Sequence, residues 1–220
     1  MNKHMAFVLL LAAICTSRAQ DLGVKWPSAT NPPDWGKMSY EEADAASRSE
    51  DNLICNGWKR IGPEYVTNLV GQLRSGRLDN DRKVLIVWLL GEFWLSGKVQ
   101  AADTSTIEVL IEYIDLKATK FDPKVSPPRW GNYPAQEALM YGVRKPAANP
   151  ILQHLPSESN ELRRRLMCEV LEHVESWKGK VFDGALGKAT AQEEIRQRLA
   201  GESDSAKLTN LKAALKELEK

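Results

Sequence analysis

The chain has 220 residues, of which 43% are hydrophobic and 27% are charged, and its 30 basic and 29 acidic residues give a formal net charge of +1. This composition is typical of a globular protein and excludes a collagen-like, low-complexity or intrinsically disordered chain. A net charge so close to zero gives no reason to expect a nucleic-acid partner.

The start of the chain has the pattern of a secretory signal peptide. A short basic stretch precedes an apolar run over residues 5–15, and the small residues Ser17 and Ala19 then end the segment 1–19. This run of eleven residues is well short of the ~20 that span a bilayer. We therefore expect an exported protein, periplasmic or extracellular, with no stable membrane span once residues 1–19 are removed.

Two other fates of this segment stay open. The apolar run could be retained as an anchor, or Cys15 at its end could be acylated as in a bacterial lipoprotein. Against acylation, the residue before Cys15 is Ile14, whereas lipoprotein signals usually carry a small residue there. The chain has no Asn-X-Ser/Thr sequence, which favours a bacterial source over a eukaryotic glycoprotein.

Two cysteines remain after removal of the signal segment. Loss of Lys3 and Arg18 leaves 28 basic and 29 acidic residues, a net charge of −1. Cys55 and Cys168 have one possible intramolecular pairing, which an oxidising compartment permits if their Cα atoms approach closely enough. Because Cys168 lies in an apolar helical stripe, a buried free thiol is the favoured interpretation.

Residues 20–38 contain three prolines and two tryptophans without periodicity, and we predict an extended arm there. Trp26 and Trp35 either pin this arm to the body or form an exposed binding surface. Packing against the body is the commoner use of tryptophan.

From residue 39 onward the pattern predicts one helix after another. Ser39 and Glu42 match a capping box, which opens a helix that runs to about Cys55. A 3.6-residue apolar period follows Pro63. Residues 84–90 are apolar all round, which is typical of a helix buried between neighbouring helices.

The second half of the chain continues this pattern with one interruption. A capping box at residues 105–108 opens a helix, and residues 116–132, with three prolines and no helical period, interrupt the series. Helices are then predicted over residues 134–140, 146–155 and 160–174, from a capping box at residues 190–193 to Leu199, and over residues 203–220. The last one carries the stripe Leu208, Leu211, Leu215 and Leu218. Docking of this stripe on the preceding helices is favoured over pairing of two copies, because two heptads are short for a coiled coil.

The predicted helices recur after about 80 residues. Pro63 aligns with Pro146 at an offset of 83, and Arg82 aligns with Arg163 at an offset of 81. Two units of ~40 residues fit both offsets, which is the length of the helix-pair repeats of solenoid proteins. Residues 116–132 are then an insertion between the two helices of one repeat.

Residues 146–155 and 161–171 together resemble a HEAT repeat, and residues 79–91 are similar to its second helix. The resemblance covers about residues 62–176, although bulky Leu, Ile and Trp replace the usual alanines. It implies an all-α, armadillo-type fold: a short right-handed α-solenoid of about three HEAT-like helix pairs over residues 39–202, closed by the C-terminal amphipathic helix. Such a stack offers an extended surface to other proteins.

The insertion supplies one set of candidate partner-binding residues. Long loops that interrupt a repeat often lie on a binding face. Phe121, Arg129, Trp130 and Tyr133 are of the aromatic and arginine types that dominate interface energetics. The equally weighted alternative is that the loop folds over the protein's own core.

Arg163 and Arg164 form a second set, at the start of a predicted helix. A cation there interacts poorly with the helix dipole unless it is partnered, and Glu158 and Glu161 lie within a turn. The resemblance implies a salt-bridge ladder between repeats. The alternative is that these arginines bind an anion or an acidic partner.

The sequence shows no motif for catalysis, a metal or a cofactor. Cys168 and His173 are five residues apart and do not share a helix face, so we expect no zinc site. The glutamates around His173 are interpreted as the solvated face of a helix, and His154 as a structural or solvated residue. Residues 184–190 lack the first Gly and the Ser/Thr of a phosphate-binding loop.

The sequence thus predicts an exported, non-enzymatic module that binds or scaffolds another protein and needs no cofactor. Two alternatives are kept. One is a small secreted enzyme whose carboxylates converge from different helices, and the other is an envelope-anchored subunit held by the apolar segment or by an acylated Cys15.

Overall fold

The computed structural model describes the greater part of the chain after residue 31. The described residues are 28–29, 32–55, 60–61, 63–95, 104–118, 132–173, 175–177, 180–182 and 185–220. The predicted signal segment 1–19 and residues 119–131 of the insertion lie outside them, so the expectations placed on those residues stay predictions.

Helices build almost the whole described body, as the sequence predicts. The α-helices are α1 (Tyr40–Cys55), α2 (Pro63–Arg74), α3 (Asn80–Leu95), α4 (Thr104–Glu112), α5 (Pro134–Glu137), α6 (Ala148–His154), α7 (Glu161–Glu172), α8 (Lys188–Gly201) and α9 (Ser205–Leu218). A π-helix (Ala138–Val143) continues α5, and short 3-10 turns cover Trp35–Lys37, Lys145–Ala147 and Leu155–Ser157. The buried side chains of these elements form one continuous apolar cluster from Trp35 to Leu218.

Two short strand pairs accompany the helices, and the sequence does not predict them. Strand β1 (Ser28–Ala29) pairs in parallel with β2 (Arg60–Ile61), and β3 (Glu175–Trp177) pairs in antiparallel orientation with β4 (Lys180–Phe182). Strands of two or three residues are too short to show the alternation by which a strand is recognised in a sequence.

The predicted capping box at the start of α1 is confirmed. The Ser39 backbone N–H donates to Glu42 Oε2 at 2.8 Å, and the Glu42 N–H donates to Ser39 Oγ at 3.2 Å. Each side chain therefore satisfies a backbone donor that the helix itself leaves without an acceptor. The helix ends at Cys55, where the sequence predicts its end.

Helix α3 lies at the centre of the body and confirms the prediction made for its all-apolar sequence. The Asp79 carboxylate accepts the Arg82 backbone N–H at 2.9 Å and so caps the start of the helix. Its residues 84–87, 89 and 90 are all buried. The helix packs against α1 on one side and against α5 and the π-helix on another, so an apolar residue is stable at almost any position around it.

Residues 32–38 of the predicted arm belong to the folded body. Trp35 is fully buried, and its backbone N–H donates to Gln72 Oε1 at 2.9 Å. The Gln72 Nε2 donates in turn to the Pro33 carbonyl at 2.8 Å. Of the two uses weighed for Trp35, packing against the body is therefore the one that the structure shows.

Two predicted helix starts are displaced. Helix α4 begins at Thr104, one residue before Ser105, and α8 begins at Lys188, two residues before Thr190. The start of α8 is set by tertiary contacts, because the N–H groups of Leu186 and Gly187 both donate to the Leu171 carbonyl at 3.2 and 3.0 Å. Gly187 adopts a positive φ of 81° there, which favours glycine.

The C-terminal leucine stripe packs on the chain itself. Leu211 and Leu218 are buried and Leu208 and Leu215 are half-buried. Helix α9 that carries them contacts α7, α8 and the turn Leu155–Ser157, and Asn210 Nδ2 donates to the Pro156 carbonyl at 2.9 Å. Among the described residues, no helix combines the length and apolarity that a membrane crossing requires.

The cap of α9 gives a testable pH dependence. Asp204 Oδ1 accepts the N–H groups of Lys207 and Ala206 at 3.0 and 2.8 Å, and these bonds lower the pKa of Asp204 below 3.8. Its charged cap therefore stabilises the protein above the unfolded pKa and is lost as the pH falls through the lower folded pKa.

We expect Asp204→Ala to lower the melting temperature and Asp204→Asn to lower it much less, because asparagine is an equally good cap. Melting curves should show the gap between wild type and Asp204→Ala closing as the pH falls below the folded pKa. The gap between the two variants should stay constant, since neither has a titratable group at this position. A gap between wild type and Asp204→Ala that does not change with pH would show that the charge of Asp204 does not contribute.

Candidate functional site

The best-defined polar site of the body is centred on Arg163, the third residue of α7. Its guanidinium donates from Nε to Glu158 Oε2 at 2.8 Å and from Nη1 to Asp115 Oδ1 at 2.7 Å. Nη1 and Nη2 also donate to the carbonyls of Glu112 and Ile111 at 3.0 and 3.1 Å. One side chain thus links α7 to the end of α4, across almost fifty residues of sequence.

The positive charge of Arg163 is favoured by its position at the C-terminal end of α4. The carbonyls of Ile111 and Glu112 are among the last of α4, where the helix dipole favours a cation. The side chain of Arg163 is 21% exposed. Burial disfavours its charge, but the bonds to Glu158 and Asp115 outweigh that effect and raise the pKa of Arg163.

The Arg163 site lies at the root of the insertion. Asp115 comes three residues before Ala118, whose backbone N–H donates to the Asn132 carbonyl at 2.9 Å. This bond joins the two described ends of the insertion. The next residue, Tyr133, is half-buried against the core, so this predicted binding residue packs at least in part on the body.

The other predicted binding residues divide into two groups. Phe121, Arg129 and Trp130 lie outside the described residues, and their role stays a prediction. Arg164 is half-buried and donates from Nη1 to the carbonyl of Glu158 at 3.3 Å. Arg163 and Arg164 therefore both bond within the chain, Arg163 to two carboxylates and two carbonyls and Arg164 to backbone carbonyls.

Arg82 on α3, which the offset of 81 aligns with Arg163, has similar surroundings. Each arginine is the third residue of its helix, and its N–H is capped by the side chain three residues earlier, Asp79 at 2.9 Å or Asn160 at 3.2 Å. Each donates to two carbonyls of another element, which for Arg82 Nη1 are those of Trp35 and Met38 at 3.3 and 2.9 Å. The alignment of the two arginines is visible in the sequence, but their carbonyl partners are not.

A second polar cluster lies between the π-helix and the end of α7. The rings of Tyr141 and His173 meet edge to face with centroids 4.9 Å apart. Gln136 is buried and its Nε2 donates to Glu169 Oε2 at 2.5 Å. Of the glutamates around His173, which are interpreted as a solvated face, Glu169 has a side chain that is 41% exposed and also accepts this bond from α5.

The π-helix ends in a strained residue. Arg144 has φ 60° and ψ −129° and is the one non-glycine residue with a positive φ in the described part of the chain. Its N–H donates to the Leu139 carbonyl at 2.8 Å, five residues earlier, as in a π-helix. Both a π-helix and a residue in this region of φ and ψ are more frequent at functional sites than elsewhere.

The remaining candidate residues, His154 and Cys168, are in contact with other groups of the protein. His154 Nε2 pairs with Glu108 Oε2 at 2.6 Å on the surface. Cys168 is a free, buried thiol whose Sγ lies 3.6 Å from the Ala214 carbonyl. Burial, followed by the charges of Glu217 and Glu172, raises the pKa of this thiol to about 12. The interpretation of Cys168 as a buried thiol is confirmed, and within the described ranges no cluster of His, Cys, Asp and Glu has the makeup of a metal site.

An open cavity of about 370 Å³ lies where α6, α8 and α9 meet. Leu152, Pro156 and Leu211 form its apolar part, and Arg198 and Glu202 its charged part. The Glu202 carboxylate is already bonded to the N–H groups of Ser203 and Asp204 at 2.8 and 2.9 Å. The cavity therefore offers a mixed lining without a concentration of one charge.

The chain was compared with protein-family models, with curated proteins and with solved structures, and none of them matches.

Proposed function

We propose that the chain is an exported, non-enzymatic protein that binds another protein through the insertion 116–132. The observation that carries the proposal is the anchored root of the insertion. Arg163 fixes the end of α4 through three bonds, and the Ala118–Asn132 bond joins the two ends of the insertion. A binding segment whose ends are held loses less conformational entropy when it binds.

The composition of the insertion indicates the kind of partner. Residues 116–132 contain four basic residues and one acidic residue, a net charge of +3, whereas the remaining residues after position 19 carry a net charge of −4. Phe121 and Trp130 add apolar area of the kind found at the centre of interfaces. We therefore propose an acidic protein surface with an apolar pocket as the partner.

For the body itself we propose a short HEAT-like solenoid. The equivalent arginines Arg82 and Arg163, their capped helix starts and the buried residues that follow each of them at the same spacing support two copies of one structural unit. Stacked units of this kind bury a shared core and leave a surface for a partner.

The binding proposal is tested with Phe121→Ala, Arg129→Ala and Trp130→Ala combined in one variant. Crosslinking and pull-down from the extracytoplasmic fraction should capture a partner with the wild type and lose it with this variant. Calorimetry with the purified partner should then show at least a tenfold weaker Kd, since two or more interface anchors are removed. The matched control combines alanine at the exposed residues Lys207, Lys212 and Lys216 of α9 and should bind as the wild type does. Equal binding by all three chains would refute the proposal.

A second candidate function, a small secreted enzyme, draws on the cluster of Gln136, Tyr141, Glu169 and His173 beside the strained Arg144. Such an enzyme should turn over a member of a substrate panel and lose this activity in His173→Gln, with its melting temperature little changed. The third possibility is an envelope-anchored subunit. Mass spectrometry of the N-terminus distinguishes it from a free exported protein, because it shows whether residues 1–19 are retained or Cys15 is acylated.

A further inference from the structure

One five-residue motif occurs twice in the chain. Residues 32–36 read Pro-Pro-Asp-Trp-Gly and residues 127–131 read Pro-Pro-Arg-Trp-Gly, so four of the five residues are identical. The first copy comes four residues before α1 and the second comes three residues before α5. Helix α1 packs on α3, and so does α5 with its π-helical continuation. The two motifs therefore precede helices that share one neighbour.

The first copy is held in a groove formed by α2 and α3. The indole of Trp35 is fully buried. Gln72 uses both ends of its amide, since its Oε1 accepts the Trp35 N–H at 2.9 Å and its Nε2 donates to the Pro33 carbonyl at 2.8 Å. This is a two-point clamp on the main chain of the segment.

The second wall of the groove is Arg82. Its Nη1 donates to the carbonyls of Trp35 and Met38 at 3.3 and 2.9 Å, and its Nη2 pairs with Asp79 at 3.2 Å. Together Gln72 and Arg82 bond to main-chain atoms of residues 33, 35 and 38. The groove thus recognises a tryptophan ring and a backbone shape, both of which the second copy of the motif can supply.

The position at which the two motifs differ lies at the edge of the groove. The side chain of Asp34 is 37% exposed and pairs with Lys37, itself 79% exposed, at 3.1 Å. Both partners of this ion pair belong to the docked segment. Besides the bond to Lys37, the charge of Arg77, between α2 and α3, also acts on Asp34 and contributes to its lowered pKa, so Arg129 at this position would meet a like charge at the edge of the groove.

The helices that correspond to α2 and α3 do not reproduce this groove. At the offset of 83, Leu155 takes the place of Gln72 and has no amide. At the offset of 81, Arg163 donates to the carbonyls of Ile111 and Glu112 instead. Within the described residues there are thus two clamping arginines but one Trp-Gly groove.

We propose that the groove of Gln72 and Arg82 is a docking site for Pro-Pro-x-Trp-Gly segments, and that residues 127–131 of a second copy of the chain compete for it with residues 32–36. This inference goes beyond the proposed function, because the groove is lined by Arg82 and is distinct from the acidic surface proposed as the partner of the insertion. The chain's own segment is tethered beside the groove at a high effective concentration. Docking of residues 127–131 from a second copy therefore becomes the dominant state when Trp35 is removed from the chain's own segment.

The central experiment compares the full chain carrying Trp35→Ala with the double variant Trp35→Ala, Trp130→Ala. Sedimentation velocity should show concentration-dependent dimers for the single variant and monomers for the double variant. A peptide of residues 125–133 should raise the melting temperature of Trp35→Ala, and the same peptide with Trp130→Ala should not. Circular dichroism establishes whether Trp35→Ala folds alone. If it does not, restoration of its helical signal by the first peptide and not by the second is the readout.

A third variant tests whether the groove accepts the sequence of the second motif while Trp35 stays in place. Asp34→Arg gives residues 32–36 the sequence of the second motif, and its melting temperature should fall by no more than about 4 °C, since the change removes an exposed ion pair and places a like charge near Arg77 but leaves the buried ring in place. A fall of more than about 5 °C would show that the groove rejects the second motif. So would a Trp35→Ala chain that neither associates nor responds to the peptide. Because these measurements use purified chain alone, their failure is separate from a failure to capture a partner with the insertion.

Discussion

Replacing Trp35 by alanine is expected to lower the free energy of unfolding by about 3–5 kcal/mol, the usual cost of truncating a fully buried tryptophan. Trp35 has no exposed surface and lies in the same apolar cluster as α2 and α3. Loss of the ring also weakens the docking that brings the main chain of residues 33–38 within reach of Gln72 and Arg82. Chemical denaturation at neutral pH measures the effect directly, as a lower midpoint at an unchanged slope.

Trp35→Phe is the matched control for this prediction. The Trp35 Nε1 has no hydrogen-bond partner among the described residues, so phenylalanine keeps most of the buried ring and gives up no hydrogen bond. We expect it to cost about 1–2 kcal/mol, less than truncation to alanine, because a large-to-small change costs less when most of the buried ring is kept. An alanine variant as stable as the phenylalanine variant would mean that residues 32–38 unfold separately from the helices.

Local signals in the sequence are sufficient for several helices. Ser39 and Glu42 lie three residues apart and satisfy each other's backbone donors, so the start of α1 depends on nothing distant. The all-apolar stretch of α3 likewise predicts a helix surrounded by others. These elements are found where the pattern places them because their determinants lie within one or two turns.

Other features depend on contacts that no local pattern contains. The docking of Trp35 uses Gln72 and Arg82, 37 and 47 residues further along the chain. The start of α8 is fixed by the Leu171 carbonyl, and a capping box at Thr190 therefore predicts the wrong first residue. The π-helix and the positive φ of Arg144 have no signature in composition or periodicity.

The candidate site likewise combines features that the sequence predicts with features that only the fold reveals. The offset of 81 is visible in the amino-acid sequence and aligns Arg163 with Arg82, and Glu158 is near enough along the chain to be expected as a partner. Asp115 and the carbonyls of α4 are 48 to 52 residues away, so the role of Arg163 at the root of the insertion follows from the fold alone.

Arg163→Ala is the second large effect, with an expected loss of about 2–3 kcal/mol, the cost of removing a charged hydrogen-bonding group from satisfied partners. The variant leaves the carboxylates of Glu158 and Asp115, whose side chains are 14% and 34% exposed, without their cation. It also leaves the Glu112 carbonyl of α4 without a donor among the described residues, whereas the Ile111 carbonyl still accepts the Ile114 N–H at 3.2 Å. Hydrogen exchange should therefore quicken most at the Ala118 amide and its neighbours, beyond the global loss of stability.

Two further variants on the same helix make this prediction specific. Arg163→Lys keeps the charge, but a single ammonium cannot reproduce the fork that reaches Glu158, Asp115 and the two carbonyls together, so we expect it to recover less than half of the loss. Arg165→Ala removes an exposed arginine whose ion pair to Glu169 is 3.7 Å long, and should change stability by less than about 0.5 kcal/mol. If Arg163→Lys is as stable as the wild type, charge alone stabilises this end of α4. The insertion would then be anchored by the Ala118–Asn132 bond and the packing of Tyr133, and its binding should not depend on the guanidinium.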